Sequence, residues 1–103
     1  MSSDRVIIEK QMGITHAEFL RLLPQALGTD DYDVSGQGSG TLITFAATDD
    51  QEIRIALGQE SVRQIALMRI PTTPVTLTFQ GLNDTEMSAF MATFDRAYQR
   101  GGG

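Results

Sequence analysis

Residues 74–101 read PVTLTFQGLNDTEMSAFMATFDRAYQRG, and this stretch decides the fold. Val75, Leu77 and Phe79 alternate with polar residues, which is the period-two pattern of a strand with one buried face. Gly81 then interrupts the alternation, and the spacing of apolar residues changes after it. The stretch therefore predicts a half-buried strand that leads through one glycine into a helix.

The predicted helix has recognisable signals at both ends. Asn83 and Glu86 have the spacing of a capping box, in which each side chain bonds the backbone amide of the other residue. Gly101 follows two arginines, a combination that is typical of a helix C-terminus. The apolar residues between these signals recur at helical spacing: Met87, Phe90, Met91, Phe94 and Tyr98.

The N-terminal part of the chain has the same order of signals. A branched apolar run, 6–8, predicts a strand, and Gly13 ends the segment that contains it. Thr15 and Glu18 form a second capping box, so a helix is expected to follow. Pro24 lies inside this helix and is expected to kink it or end it early, before Gly28 closes the segment.

The middle of the chain predicts a meander. Short polar or glycine-rich turns separate four further runs, at 32–35, 41–47, 52–57 and 61–70. Pro71 and Pro74 are then expected to bracket a stiff connection into the last strand. The order is β-α-β-β-β-β-β-α, and the fold class is α+β: a two-layer sandwich in which two helices cover one face of an antiparallel meander of five to six strands.

The alternation within the strands assigns residues to the two faces of this sheet. Two helices, each about 10 Å across, can cover only one face of a sheet about 25 Å wide. The parity expected to face the helices holds Ile43, Phe45, Ile53, Ile55, Leu57, Val75, Leu77 and Phe79. The opposite face is expected to stay open.

Composition limits the classes of function. The 103 residues suit one domain, 1–103, with 1–4 and 101–103 expected to be disordered tails. A net charge of −5 disfavours nucleic acid as a partner. No apolar run is long enough to span a membrane, so we expect a cytoplasmic protein without a membrane partner. The absence of cysteine removes disulfides and thiolate chemistry.

The sequence favours a non-catalytic role, with no cofactor and no metal. His16 is the single histidine and is expected to be an exposed helix residue, without the partners of a catalytic triad. Residues 31–36 match only the first half of a calcium loop, because Leu42 stands where the closing glutamate belongs. Hydrolysis by carboxylates alone stays open as an alternative, with Asp33, Asp49 and Glu60 as the candidates.

The run 61–70 differs from the other strands, because apolar residues occupy both of its parities. Some of them must then point away from the helices, and a contiguous apolar patch on a small protein marks an interface. We therefore expect a protein-interaction or self-association module, a homodimer included, that uses the open sheet face. The expected interface residues are Leu42, Arg54, Arg63, Ile65, Leu67, Met68 and Arg69.

A small apolar ligand between the sheet and the helices is the alternative function. Thioether and aromatic side chains adapt to bound guests, although such residues more often form a plain core. The expected ligand-binding residues are Phe19, Met87, Met91 and Phe94.

Overall fold

A computed structural model of the chain describes residues 5–38 and 40–101. The elements are, in chain order, β1 (Arg5–Met12), α1 (His16–Leu27), β2 (Asp33–Gln37), β3 (Gly40–Thr48), β4 (Gln51–Leu57), β5 (Ser61–Ile65), β6 (Met68–Gln80) and α2 (Asp84–Gly101). The predicted α+β class and element order are confirmed. Of the tails expected to be disordered, 1–4 and 102–103 lie outside the described residues, and Gly101 is the last residue of α2.

The six strands form an open antiparallel sheet with the main order β1-β6-β4-β3-β2. Strands β1 and β2 are its two edges, so the sheet does not close into a barrel. Strand β5 lies off this path and pairs only with the N-terminal part of β6. The 13-residue strand β6 therefore pairs with β1, β4 and β5, each of which depends on it for hydrogen bonds.

The helices cover one face of the sheet, as the alternation predicted. Thr73, Val75, Leu77 and Phe79 of β6 are buried, whereas the residues between them are only partly covered. Phe90 of α2 meets the Phe79 ring edge-on, with centroids 5.4 Å apart. The residues assigned to the inner parity all belong to this core or pack against it, and Phe45 is the one that is only partly buried. Burial of these side chains is the main term that stabilises the fold.

Both helices begin where the capping residues predicted. The Thr15 hydroxyl accepts a hydrogen bond from the Glu18 amide at 3.1 Å. At α2 the Asn83 and Glu86 side chains each accept from the other's amide at 2.8 Å. The bond from the Asn83 amide, and then one from the Gln51 side chain, hold the pKa of Glu86 below its usual range.

Pro24 does not end α1. The helix continues to Leu27 and closes at Gly28, which is left-handed at φ 75° and donates its amide to the Pro24 carbonyl at 2.9 Å. The expectation of an early end was therefore wrong. Pro24 lies near the last turn on the exposed side of the helix, so its carbonyl still takes part in the helix cap.

The run 61–70 is a hairpin and not one strand, which corrects the prediction. The chain reverses at Ala66 and Leu67, and Ile65 pairs with Met68. Ala66 has φ 54°, a left-handed conformation that turns usually assign to glycine. The sequence offers no glycine, proline, asparagine or aspartate at this turn, and for this reason the reversal was not predicted.

The two prolines lie inside β6 and do not form a separate connection. Pro71 pairs with Val62 of β5, and Pro74 pairs with Gln11 of β1. The Pro74 carbonyl accepts from the Gly58 amide at 2.8 Å, at the point where β4 has ended and β5 has not begun. A missing proline N–H is tolerated at such a break in the pairing.

Tyr98 links the two helices from within the core. Its hydroxyl donates a hydrogen bond to the Phe19 carbonyl at 2.8 Å, and its ring stacks on the Phe19 ring with centroids 4.6 Å apart. Burial, with a smaller contribution from Tyr32, raises the pKa of the Tyr98 phenol far above its ordinary value. The phenol therefore stays neutral in the folded chain.

Stability should fall at alkaline pH because of Tyr98. An unfolded tyrosine ionises near pH 10, so the contribution of this group is fully present below about pH 10 and is lost at about 1.4 kcal/mol per pH unit above it. Tyr98→Phe should lower the free energy of unfolding by about 1 kcal/mol at neutral pH and flatten the alkaline decline. Urea unfolding at a series of pH values measures both effects, and Tyr32→Phe should change the alkaline decline less than Tyr98→Phe, because Tyr32 makes only the smaller contribution to the Tyr98 pKa. An equal alkaline slope in the wild type and Tyr98→Phe would contradict the assignment.

Replacing Gly81 with any larger residue should strongly destabilise the fold, and comparison with Gly28 separates the effect of the close contact from that of the positive φ. Gly81 has φ 86°, and a Cβ atom there would lie 2.2 Å from the Asp50 carbonyl oxygen. Gly28 has φ 75° but nothing within 4 Å of the equivalent position. Gly28→Ala should therefore cost about 1 kcal/mol of unfolding free energy, and Gly81→Ala about 3 kcal/mol or more. Equal losses in urea unfolding would show that the Asp50 contact contributes nothing.

Candidate interaction surface

The helices leave most of the β5–β6 hairpin, residues 61–72, uncovered, and we call this hairpin the arm. Every residue from Ser61 to Arg69 is exposed. Four of these are large and apolar, and the exposed fractions are 97% for Leu67, 63% for Met68, 58% for Val62 and 50% for Ile65. An isolated two-stranded hairpin buries little apolar surface by itself, so these side chains meet water.

Both faces of the arm combine apolar side chains with an arginine. Residues that pair directly across antiparallel strands share a face. One face holds the pairs Arg63–Ile70 and Ile65–Met68, and the other holds Val62–Pro71 and Gln64–Arg69. The arm contributes +2 to a net charge of −5, so the rest of the chain carries −7. The arm is therefore a basic, apolar projection from an acidic protein.

Hydrogen bonds fix the base of the arm to the start of α1. The Thr73 hydroxyl, which is fully buried, donates to the Ile14 carbonyl at 2.7 Å. The His16 amide donates to Glu60 Oε1 at 2.8 Å, and His16 Nε2 donates to the Gly58 carbonyl at 2.6 Å. The arm thus projects from a fixed base, although its own residues are exposed.

These contacts correct the expectation for His16. The side chain is half-buried and not exposed, because its ring reaches the Gly58 carbonyl across the loop between β4 and β5. Glu60, which the sequence offered as a hydrolytic carboxylate, accepts from the α1 N-terminus. Asp49 precedes β4 and Glu60 follows it, so a seven-residue strand of about 23 Å separates the two. Within 5–38 and 40–101, no three His, Cys, Asp or Glu side chains cluster closely enough to hold a metal ion.

The predicted interface residues lie in two places and not on one face. Arg63, Ile65, Leu67, Met68 and Arg69 belong to the arm.

Leu42 and Arg54 lie on the open face of the main sheet. Leu42 is half-buried opposite Ala56, and Arg54 Nε lies 3.4 Å from Glu52 Oε2. Arg54 pairs with Thr78, ten residues along β6 from Met68, which is about 33 Å. The separation follows from the turn at residues 66 and 67, which the sequence did not reveal.

The open face of the main sheet is mostly polar. Threonines occupy outward positions of β3 and β6, among them Thr44, Thr76 and Thr78. A depression of about 200 Å³ at one end is lined by Arg5, Ile7, Glu52, Arg54, Thr78 and Gln80. Ile7 is the most exposed large apolar side chain of this face, at 56%. The apolar surface expected here is concentrated on the arm instead.

The four residues predicted to bind a small apolar ligand pack in the core. Phe19 and Phe94 are fully buried, with ring centroids 6.1 Å apart. Met87 and Met91 are partly buried against the same cluster. A concave site of about 380 Å³ lies elsewhere and is lined by residues of β1 and β6: Glu9, Lys10, Gln11, Pro74, Val75 and Thr76. Ligand binding by these four residues stays a prediction.

The sequence reasoning missed Val62 as an exposed residue. A single strand over 61–70 leaves open which of its two parities faces the helices, so it predicts no exposure for Val62. One feature of the sequence could have indicated this exposure. Neither set of alternating residues in 61–70 is polar, whereas a half-buried strand has one polar set. A fully exposed hairpin satisfies such a pattern, because neither of its faces is covered by the core.

Comparison with known proteins adds no family to this description. No protein-family model matches the sequence, and no curated protein is significantly similar to it. Among residues 5–38 and 40–101, no helix combines the length and apolar character needed to cross a membrane.

Proposed function

We propose that this protein is a non-catalytic interaction module that binds a partner protein through the arm. The observation that carries the proposal is Leu67, which is 97% exposed at the tip of a hairpin whose base is held by three hydrogen bonds. An exposed apolar side chain on a fixed projection is the arrangement found in interface anchors. We further propose a cytoplasmic location for this activity.

The arm offers enough apolar surface for specific binding. Covering a large apolar side chain contributes on the order of 1.5–3 kcal/mol, and four such side chains project from the arm. Association costs several kcal/mol in lost freedom, so these four side chains alone support an affinity of about micromolar at most. The base of the arm is already ordered by the Thr73 hydroxyl and by Glu60, which limits the ordering cost at that end.

The charge of the arm indicates the chemistry of the partner. Arg63 and Arg69 are its only charged residues, and they lie on opposite faces. A partner with a groove that is apolar at its centre and acidic at its rim complements this distribution. Such charges accelerate encounter more than they add affinity, so association should slow as salt is added.

Site-resolved cross-linking tests the proposed function. A photoreactive phenylalanine analogue at Leu67 should capture a distinct partner protein in the cells that make this chain. The same analogue at Ala89, an exposed position on α2, should not capture it. Arg63→Glu with Arg69→Glu should reduce the yield about tenfold, because both charge contacts become repulsive. Identical products at Leu67 and Ala89 would remove the proposal.

The dissociation constant of the complex with the purified partner measures the contribution of Leu67 to binding. Leu67→Asp should raise the dissociation constant by a factor of about 30 or more, since it places a charge in an apolar contact. Ala89→Asp is the matched control, with the same added charge on a different element. Because Leu67 has no buried contacts to lose, both variants should keep the unfolding midpoint of the wild type. An unchanged affinity for Leu67→Asp would place the interface elsewhere.

A further inference from the structure

A second surface, independent of the arm, is the free edge of β1. This strand stands at one end of the main sheet and pairs on one side only, with β6 from Arg5↔Gln80 to Met12↔Thr73. Within residues 5–38 and 40–101, no strand pairs with its other side. An eight-residue edge of this kind presents backbone donors and acceptors that another strand can use.

Apolar side chains accompany this free edge. Ile7 is 56% exposed on the open face of the sheet, and Val6 is 37% exposed on the face that carries the helices. Edge strands that must stay unpaired are usually short, or carry a proline or an inward charge near their centre. The inward charge of β1 is Lys10, whose Nζ bonds Asp95 of α2 at 2.8 Å, so the N-terminal half of the edge, with Val6, Ile7 and Ile8, carries neither a proline nor an inward charge.

The order of charges in β1 favours pairing with a second, antiparallel β1 strand from another copy of the chain. If two β1 strands pair about a two-fold axis at Ile7, Arg5 lies opposite Glu9 and Glu9 opposite Arg5. Val6 then lies opposite Ile8, and Ile7 meets Ile7 of the second copy. A shift by one residue places Arg5 opposite Lys10, with like charges together. Pairing centred on Ile7 therefore satisfies both the apolar and the charged positions and keeps the helices of both copies on one side.

We propose that the chain forms a two-fold dimer by pairing β1 with β1 of a second copy, centred on Ile7. The two main sheets then join into one antiparallel sheet of ten strands, with the helices of both copies on the same side. Both Arg5–Glu9 pairs lie on the open face with the two Ile7 side chains, because these residues share one parity. The arm pairs with β6 beyond Thr73, so it stays outside this contact.

The oligomeric state of charge and apolar variants tests the dimer. Sedimentation at protein concentrations up to about 100 µM should show a reversible dimer of the wild type. Ile7→Asp places two carboxylates opposite each other and should raise the dissociation constant about 100-fold, whereas Ile7→Thr, which keeps strand propensity, should change it less than about tenfold. A wild-type chain that is monomeric throughout this range would falsify the proposal, as would a dimer that Ile7→Asp leaves intact.

Charge reversal tests the register by rescue. Arg5→Glu alone and Glu9→Arg alone should each weaken the dimer about tenfold, since each creates two like-charge pairs. The double variant should restore the wild-type dissociation constant, because both pairs become attractive again. A double variant weaker than either single variant overturns the register. Unfolding midpoints should be equal at protein concentrations well below the dissociation constant, where every variant is monomeric, since Arg5 and Glu9 are exposed.

Single cysteines provide a direct measure of the same register, because the chain contains no cysteine of its own. Directly opposite residues have Cα atoms about 4.5–5.5 Å apart, within the range of a disulfide. Ile7→Cys should therefore give a covalent dimer on mild oxidation. Arg5→Cys and Glu9→Cys should each fail alone and cross-link when mixed, because identical positions are then about 13 Å apart. Cross-linking of Arg5→Cys to itself would contradict the proposed pairing.

Discussion

The hydrogen bonding of β6 is the constraint on which the rest of the structure depends. One strand supplies partners to β1, β4 and β5, and its inner parity supplies the centre of the core. The strand is long enough to extend past the helices, so its first part lacks a covering layer. The same feature therefore produces both the stable sheet and the exposed arm.

Signals that act over a few residues carried most of the fold prediction. The capping residues, Gly81 and the alternation of the strands each reflect local backbone or side-chain geometry. The structure shows both bonds of the Asn83–Glu86 box, whereas at α1 Thr15 caps the helix and the Glu18 side chain bonds Arg21 instead. Two helices on one face followed from their width relative to the sheet. These properties depend on neighbours in the sequence, so one sequence was enough to predict them.

The site was less predictable, because its features depend on distant contacts. The turn at Ala66 has no residue that favours a left-handed conformation, and two prolines suggested a break where β6 is continuous. The position of β1 beside β6 and the bond from the His16 amide to Glu60 join residues far apart in the chain. The five interface residues predicted within the arm followed from apolar residues on both parities of 61–70, without the hairpin geometry that brings them together.

The two parts of strand β6 should differ in their local stability against opening. From Val75 to Gln80 it is covered by the helices and paired on both sides, so its amides should exchange with solvent hydrogen only on global unfolding. From Met68 to Thr72 it is paired with β5 alone, and none of these residues is fully buried. Amide protection should then rise steeply near Thr73, where the buried hydroxyl marks the boundary between a fraying segment and a cooperative one.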